Sequence, residues 1–277
     1  MRNLSFGALK LPTLFLTVGF LLLSGGLSGC ANQTNQLGLG ESRPEIMTES
    51  DEPEARKRAR IRLELAVGYF EQGQTTIALD ELKQSILADP SYSEGYNLRG
   101  LIYMRLDDFR FAEESFRKAL SLQPRDSNVM HNLGWLMCLG ARYTESSDLF
   151  NQALSNPQYG ERAKTFRTQG LCQSRAGLSA KAEASLMKSY ELDAGNPITA
   201  YNLADLLFQR GDFIRSQFYA RRLNNSELAN AESLWLGVKV ERQLANRDAM
   251  LQLAGQLEKR FPQSTQAAAY QRGSFNE

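Results

Sequence analysis

One histidine and three cysteines are this chain's entire supply of imidazole and thiol chemistry: His131, Cys30, Cys138 and Cys172. Zinc sites need three or four such donors at close spacing, and these are scattered, so zinc chemistry is nearly excluded. Any histidine-based triad would have to run through His131. On a helix, His131, Trp135 and Cys138 share one face, being four and seven residues apart, and a Cys/His dyad could use that spacing. No Asn or Asp orienter and no oxyanion-forming turn accompanies them. A binding or surface role for His131 is therefore set against the catalytic one, and the chain is read as a non-enzyme. No Gly-rich phosphate loop, paired-carboxylate site or metal set appears elsewhere, so neither a cofactor nor a small-molecule substrate is expected.

The elements that must position these residues belong to an ordinary globular protein. The chain has 277 residues, 42% of them hydrophobic and 23% charged, which gives enough length for a sizeable core. Lys+Arg number 32 and Asp+Glu 31. Nucleic-acid binding usually carries a basic surplus, and this near-neutrality speaks against such a partner.

The N-terminus reads as an address. Arg2 and Lys10 precede an apolar run from Leu11 to Leu23, followed by Ser24, Gly25 and Gly26, the order of a signal peptide. That run is interrupted by Pro12, Thr13, Thr17 and Gly19, and it is short beside the roughly 20 residues of a bilayer span. Leu27-Ser28-Gly29-Cys30 follows and resembles the lipobox of bacterial lipoproteins, in which the cysteine is acylated and cleavage occurs ahead of it. Ordinary cleavage leaving a free Cys30 is the alternative. Two or three acyl chains anchor stably where one does not, at about 0.8 kcal/mol per buried methylene. The resemblance implies a covalent lipid on Cys30. Ala31 in place of an Asp implies the outer membrane, facing the periplasm. Residues 1–29 are thus a leader and 30–54 a lipidated polar tether, with Gly38, Gly40, Pro44 and Pro53 and no apolar periodicity. The dense basic run Arg56, Lys57, Arg58, Arg60 and Arg62 is either a solvated helix face or a contact for anionic lipid headgroups.

Pro90 and Pro124 are 34 residues apart, and Pro157 follows 33 later. The second period carries Tyr96, Gly100, Tyr103, Ala112, Phe116, Ala119 and Pro124, which resembles the tetratricopeptide pattern of paired helices. Related residues recur as Leu65, Ala66, Tyr69, Ala78, Leu82; as Leu133, Gly134, Phe150, Ala153; as Gly170, Ala182, Leu186; as Leu203, Ala204, Ala220; and as Gly237, Ala249, Leu253. The fold expected is an all-α superhelical solenoid of about six repeats over 55–277, near 59–92, 93–126, 127–162, 163–196, 197–229 and 230–263, then a C-terminal tail. Recurrent glycines at 100, 134, 170 and 237 mark close helix crossings. Gly73, Gly177 and Gly211 mark hairpin turns. The third repeat is two residues too long, around Asn156 to Arg162.

In tetratricopeptide repeats the groove is lined by positions 2, 5, 9, 12 and 13. Leu63, Val67, Phe70, Asn97, Leu101, Met104, His131, Trp135 and Leu139 occupy such positions in the first three repeats. The fourth turns basic, with Lys164, Arg167 and Arg175. The strip is either a surface for an extended or helical peptide, with Trp135 its anchor, or core read one residue out of register. Cys138 and Cys172 lie on first helices of neighbouring repeats in an oxidising compartment, either bridged or as two buried thiols.

Lipobox, tether and six repeats together resemble the type IV pilus biogenesis lipoprotein family called PilF or PilW. The resemblance is most specific in Gly134-Trp135-Leu136-Met137-Cys138, in Arg142-Tyr143-Thr144-Glu145-Ser146 through Phe150 to Asn156-Pro157, and in Gly170-Leu171-Cys172. His131 and Leu133 stand where the family has Asn and Tyr. The resemblance implies a pilotin that binds the secretin subunit and promotes its outer-membrane localisation and multimerisation. A scaffold for peptidoglycan hydrolases or outer-membrane assembly factors is the alternative. Without 1–29, which carries Arg2 and Lys10, 30 basic and 31 acidic residues remain.

Overall fold

The computed structural model describes residues 51–275, within the second of the chain's two units, Thr48–Glu277. The leader, Cys30 and nearly all of the tether lie outside the described residues. Thirteen helices and no strand occur among the described residues. They form six hairpins and a last single helix: α1 (Glu54–Glu71) with α2 (Thr75–Ala88), α3 (Ser93–Arg105) with α4 (Phe109–Leu122), α5 (Ser127–Leu139) with α6 (Tyr143–Ser155), α7 (Arg162–Arg175) with α8 (Ser179–Leu192), α9 (Pro197–Gln209) with α10 (Phe213–Asn224), α11 (Ala231–Gln243) with α12 (Arg247–Arg260), and α13 (Thr265–Arg272).

Local chemistry sets these boundaries. Asp126, Asn196 and Asn230 each accept from backbone N–H groups at the start of α5, α9 and α11, satisfying donors that a helix leaves unpaired. Pro197 opens α9, where its missing N–H is not needed. Each first helix ends in a left-handed residue, and these recur at Gly73, Asp107, Ala141, Gly177, Gly211 and Ala245. The spacing is 34 throughout except for 36 between Ala141 and Gly177. At each turn the next residue's N–H reaches back to a carbonyl five residues earlier, as in Gln74 to Tyr69 and Arg142 to Met137, which ends the helix and reverses the chain. Sequence spacing finds three of these turns from their glycines, and Asp107, Ala141 and Ala245 carry no such mark. The two extra residues lie in the connection 156–161, where Tyr159 is buried against Met130 and Ala153.

Within a hairpin the helices cross closely. A Cβ on Gly100 would sit 2.5 Å from the ring of the fully buried Phe116, and one on Gly170 would sit 2.7 Å from Leu186. Where the fit is slightly looser, Ser146 of α6 donates to the Gly134 carbonyl and Ser216 of α10 to the Ala204 carbonyl, each at 2.7 Å. Between hairpins the core is continuous. Leu186 and Tyr190 of α8 pack in one cluster with Leu203 and Leu207 of α9, Tyr219 and Leu223 of α10, and Leu236 and Val240 of α11, so no hairpin completes its own core.

First helices approach first helices along the stack, from α1 with α3 to α11 with α13, whereas no two second helices pack backbone to backbone. A two-layer stack that is tighter in one layer curves toward it, so the odd-numbered helices from α1 to α11 form the inner face. Long side chains span the outer gaps: Arg117 and Arg142 with Glu113 and Glu145 between α4 and α6, and Arg210 and Arg215 with Glu183 beside α8. The segment expected as a tail holds α13, which packs on α11 and α12, and Phe275 stacks on Trp235 at 5.3 Å.

Two substitutions test this geometry in opposite directions. Gly100→Ala gains about 1 kcal/mol of helix propensity but overpacks a buried ring at about 1–3 kcal/mol or more, so a net loss of about 1–2 kcal/mol is expected in urea denaturation. Ala141→Gly relieves a left-handed alanine costing about 1–2 kcal/mol against about 0.5–1 kcal/mol of glycine entropy. It should raise stability by about 0.5–1 kcal/mol, and an unchanged midpoint would contradict the strain argument.

Candidate functional site

The inner face gathers the residues that the groove positions single out, but at unequal depth. Val67 and Leu139 are exposed, and Leu63, Phe70, Asn97, Leu101, Met104 and Trp135 are half-buried. Leu63 and Phe70 lie against the Ala66–Leu82–Ile102 cluster, and Leu101 and Met104 against the Phe116–Leu133 cluster. Their apolar edges therefore line the groove while their bases belong to the core. The peptide-surface and core readings each describe one side of the same side chains.

His131 does not line the groove. It is only 5% exposed, and its Nδ1 lies 2.8 Å from Thr165 Oγ1 on α7. The Thr165 hydroxyl in turn donates to the Tyr159 phenol at 3.2 Å, and the imidazole meets the Phe150 ring edge-on. The reason is the helix-to-helix contact itself: at this place in α5 the side chain points at α7. Thr165 and Tyr159 are partners that sequence reasoning missed, although Thr165 lies one 34-residue step beyond His131. Burial, and then the positive charges of Lys164 and Arg167, push the His131 pKa down from 6.5 to about 4.

Cys138 and Cys172 are joined by a disulfide, with Cα atoms 5.8 Å apart. Ser146 Oγ lies 3.3 Å from Cys172 Sγ. A Cys/His dyad is not formed, since the Cys138 sulfur is bonded to Cys172 and the imidazole to Thr165. Among the described residues no group of three or more His, Cys, Asp or Glu could hold a metal ion. No helix among them is long and apolar enough to cross a membrane.

Polar residues join the apolar strip across the face. Asn132 of α5 donates to Asn97 of α3 at 2.9 Å. Arg105 covers the Phe70 ring at 5.2 Å, and Arg175 covers the Trp135 ring at 4.9 Å. The basic run on α1 is mostly consumed by ion pairs, of Arg56 with Asp89, Arg60 with Glu52 and Glu64, and Arg62 with Glu81. In the fifth repeat Asp205 is held by Gln209 at 2.6 Å, and burial raises its pKa against the lowering field of Lys239.

Comparison with known proteins agrees with this architecture. The tetratricopeptide-repeat family model matches residues 93–126. The type IV pilus assembly protein PilF of Pseudomonas aeruginosa is 27% identical over 250 residues, 90% of this chain and 95% of that protein. The crystal structure of PilW, described as a widely conserved type IV pilus biogenesis factor, superposes with a TM-score of 0.71 at 28% identity, covering 76% of this chain and 97% of that one. That of Pseudomonas aeruginosa PilF also gives 0.71, at 25% identity, over 80% and 100% of the two chains.

Two solution measurements follow from the site. The disulfide closes a separation of 34 residues, so reduction should cost roughly 3–4 kcal/mol by the chain-entropy model; an equal denaturation midpoint with and without reductant would rule that out. Unfolded His131 takes a proton near 6.5, whereas the folded form resists until about 4, so the native state loses stability as pH falls across that window. Between pH 7 and 5 the loss is about 2 kcal/mol. His131→Gln should flatten this slope by that amount, and an identical pH profile would refute it. By sequence and by fold, the chain is a tetratricopeptide-repeat homologue of the type IV pilus proteins PilF and PilW.

Proposed function

We propose that this protein is an outer-membrane lipoprotein of type IV pilus biogenesis, a pilotin anchored through Cys30 that faces the periplasm and binds the secretin subunit along its inner face. The observation that carries a pilus role is the likeness to PilF over nearly the whole length of both chains. The lipobox at Leu27-Ser28-Gly29-Cys30 supports the anchor. A groove lined by the half-buried Leu101, Met104 and Trp135 supports the binding, because a few residues, tryptophan prominent among them, supply most interface energy. The lipid carries the complex to the membrane, and the solenoid supplies recognition. No step in this role requires bond chemistry.

Deletion of the gene and the substitutions Trp135→Ala and Cys30→Ser test it. The deletion should abolish secretin multimers resistant to detergent, measured on immunoblots of membrane fractions. Trp135→Ala should reduce them by about tenfold or more, as removing an interface anchor does, with circular dichroism confirming the fold. Cys30→Ser should move the protein out of the outer-membrane fraction. Normal multimers in the deletion strain would remove the pilotin role, and normal multimers in Trp135→Ala alone would move the binding site elsewhere.

A further inference from the structure

Ion pairs occur in both layers of the stack. Eight arginines are engaged in ion pairs: Arg56, Arg60 and Arg62 at the N-terminal hairpin, and Arg117, Arg142, Arg210, Arg215 and Arg221 farther along. The inner face of α7 gathers three cations, at helical spacing on one side of the helix. Lys164, Arg167 and Arg175 form no ion pair among the described residues, and Lys164 and Arg175 are exposed. On the neighbouring α9, Asp205 is taken by Gln209 and lies in the field of Lys239. Three cations on one helix face repel one another, which an anion on that face would relieve.

One of these cations, Arg175, is also held in place. The Cys138–Cys172 disulfide ties α5 to α7. Trp135 lies one turn before Cys138, and Arg175 one turn after Cys172. Helical side chains lean toward the N-terminus, so Arg175 reaches back over the indole, 4.9 Å from the ring. A guanidinium stacked in this way keeps its N–H edge free for a carboxylate.

We infer that the inner face of α7 is a carboxylate subsite continuous with the apolar strip that ends at Trp135, and that the segment bound there is an extended acidic peptide. This rests on the reading that the inner face binds protein. Neighbouring helix axes lie about 8–10 Å apart, and an extended chain advances about 3.3 Å per residue. The acidic residues therefore fall within about three residues of the apolar side chain that meets Trp135, nearest for the one that meets Arg175.

Fluorescence anisotropy with full-length protein in detergent tests this directly. The probes are labelled extended peptides that carry two leucines and, three residues on, a pair of glutamates, glutamines or lysines. The glutamate peptide should bind about tenfold more tightly than the glutamine peptide at low salt, converge with it at high salt, and bind better than a version with the spacing doubled. Lys164→Glu combined with Arg175→Glu should erase the preference for the glutamate peptide over the glutamine peptide. Equal binding of the glutamate and glutamine peptides would overturn the carboxylate subsite alone, and no binding of either would overturn the protein-binding face as well. Charge-dependent capture of phosphatidylglycerol vesicles without discrimination among the peptides would reassign the cations to lipid.

Discussion

The small residue at the eighth position of each repeat, as at Gly100, Gly134, Gly170 and Gly237, meets the second helix too closely for most side chains, and that crossing sets the geometry of everything else. Gly100 under Phe116 and Gly170 under Leu186 leave less than 3 Å for a Cβ. Two helices this near share one thin layer of core, and a single hairpin exposes its remaining apolar face. Only the next hairpin can cover that face, so the chain has no compact alternative to stacking. The curvature has the same origin, since first helices press on one another while second helices are spanned by long side chains, ion-paired as in Arg117–Glu145 or aromatic as in Tyr190–Tyr219. An inner face of defined shape is thus a consequence of core packing rather than a separate feature.

Much of this was legible in the sequence because its causes are local and periodic. Glycine at the crossing and at the turn, and proline between hairpins, each answer to a backbone requirement that recurs every 34 residues. Legibility failed where the backbone requirement stayed and the residue did not advertise it. Ala141 and Ala245 adopt the same left-handed turn as Gly73, which only the equal spacing betrays. It also failed at α13, whose eight residues complete no repeat and register only by burying Ala267 and Ala269 against α11 and α12.

The two-residue insertion explains the harder part of the site. Across it, equivalent positions are 36 residues apart, as Ala141 and Gly177 show, whereas both Cys138–Cys172 and His131–Thr165 are separated by 34. The bonded pairs are therefore not equivalent positions but neighbours across the α5–α7 contact, two places out of register. Tyr159, brought in by the lengthened connection, closes the end of that contact through Thr165. A groove list built on strict position numbers placed His131 at the surface. The structure instead uses it as the polar centre of a joint, where burial keeps it neutral and the cations of α7 lie close by.

That joint explains why the α7 cations can remain unpaired. Ordinarily a cluster of like charge is dispersed by side-chain motion or cancelled by neighbours, as Glu113 and Glu145 cancel Arg117 and Arg142 on the outer layer. Here the disulfide and the buried His131–Thr165 bond fix α7 against α5. Three cations that form no ion pair among the described residues thus share the inner face with a half-buried indole. Recognition needs such groups in place before the partner arrives.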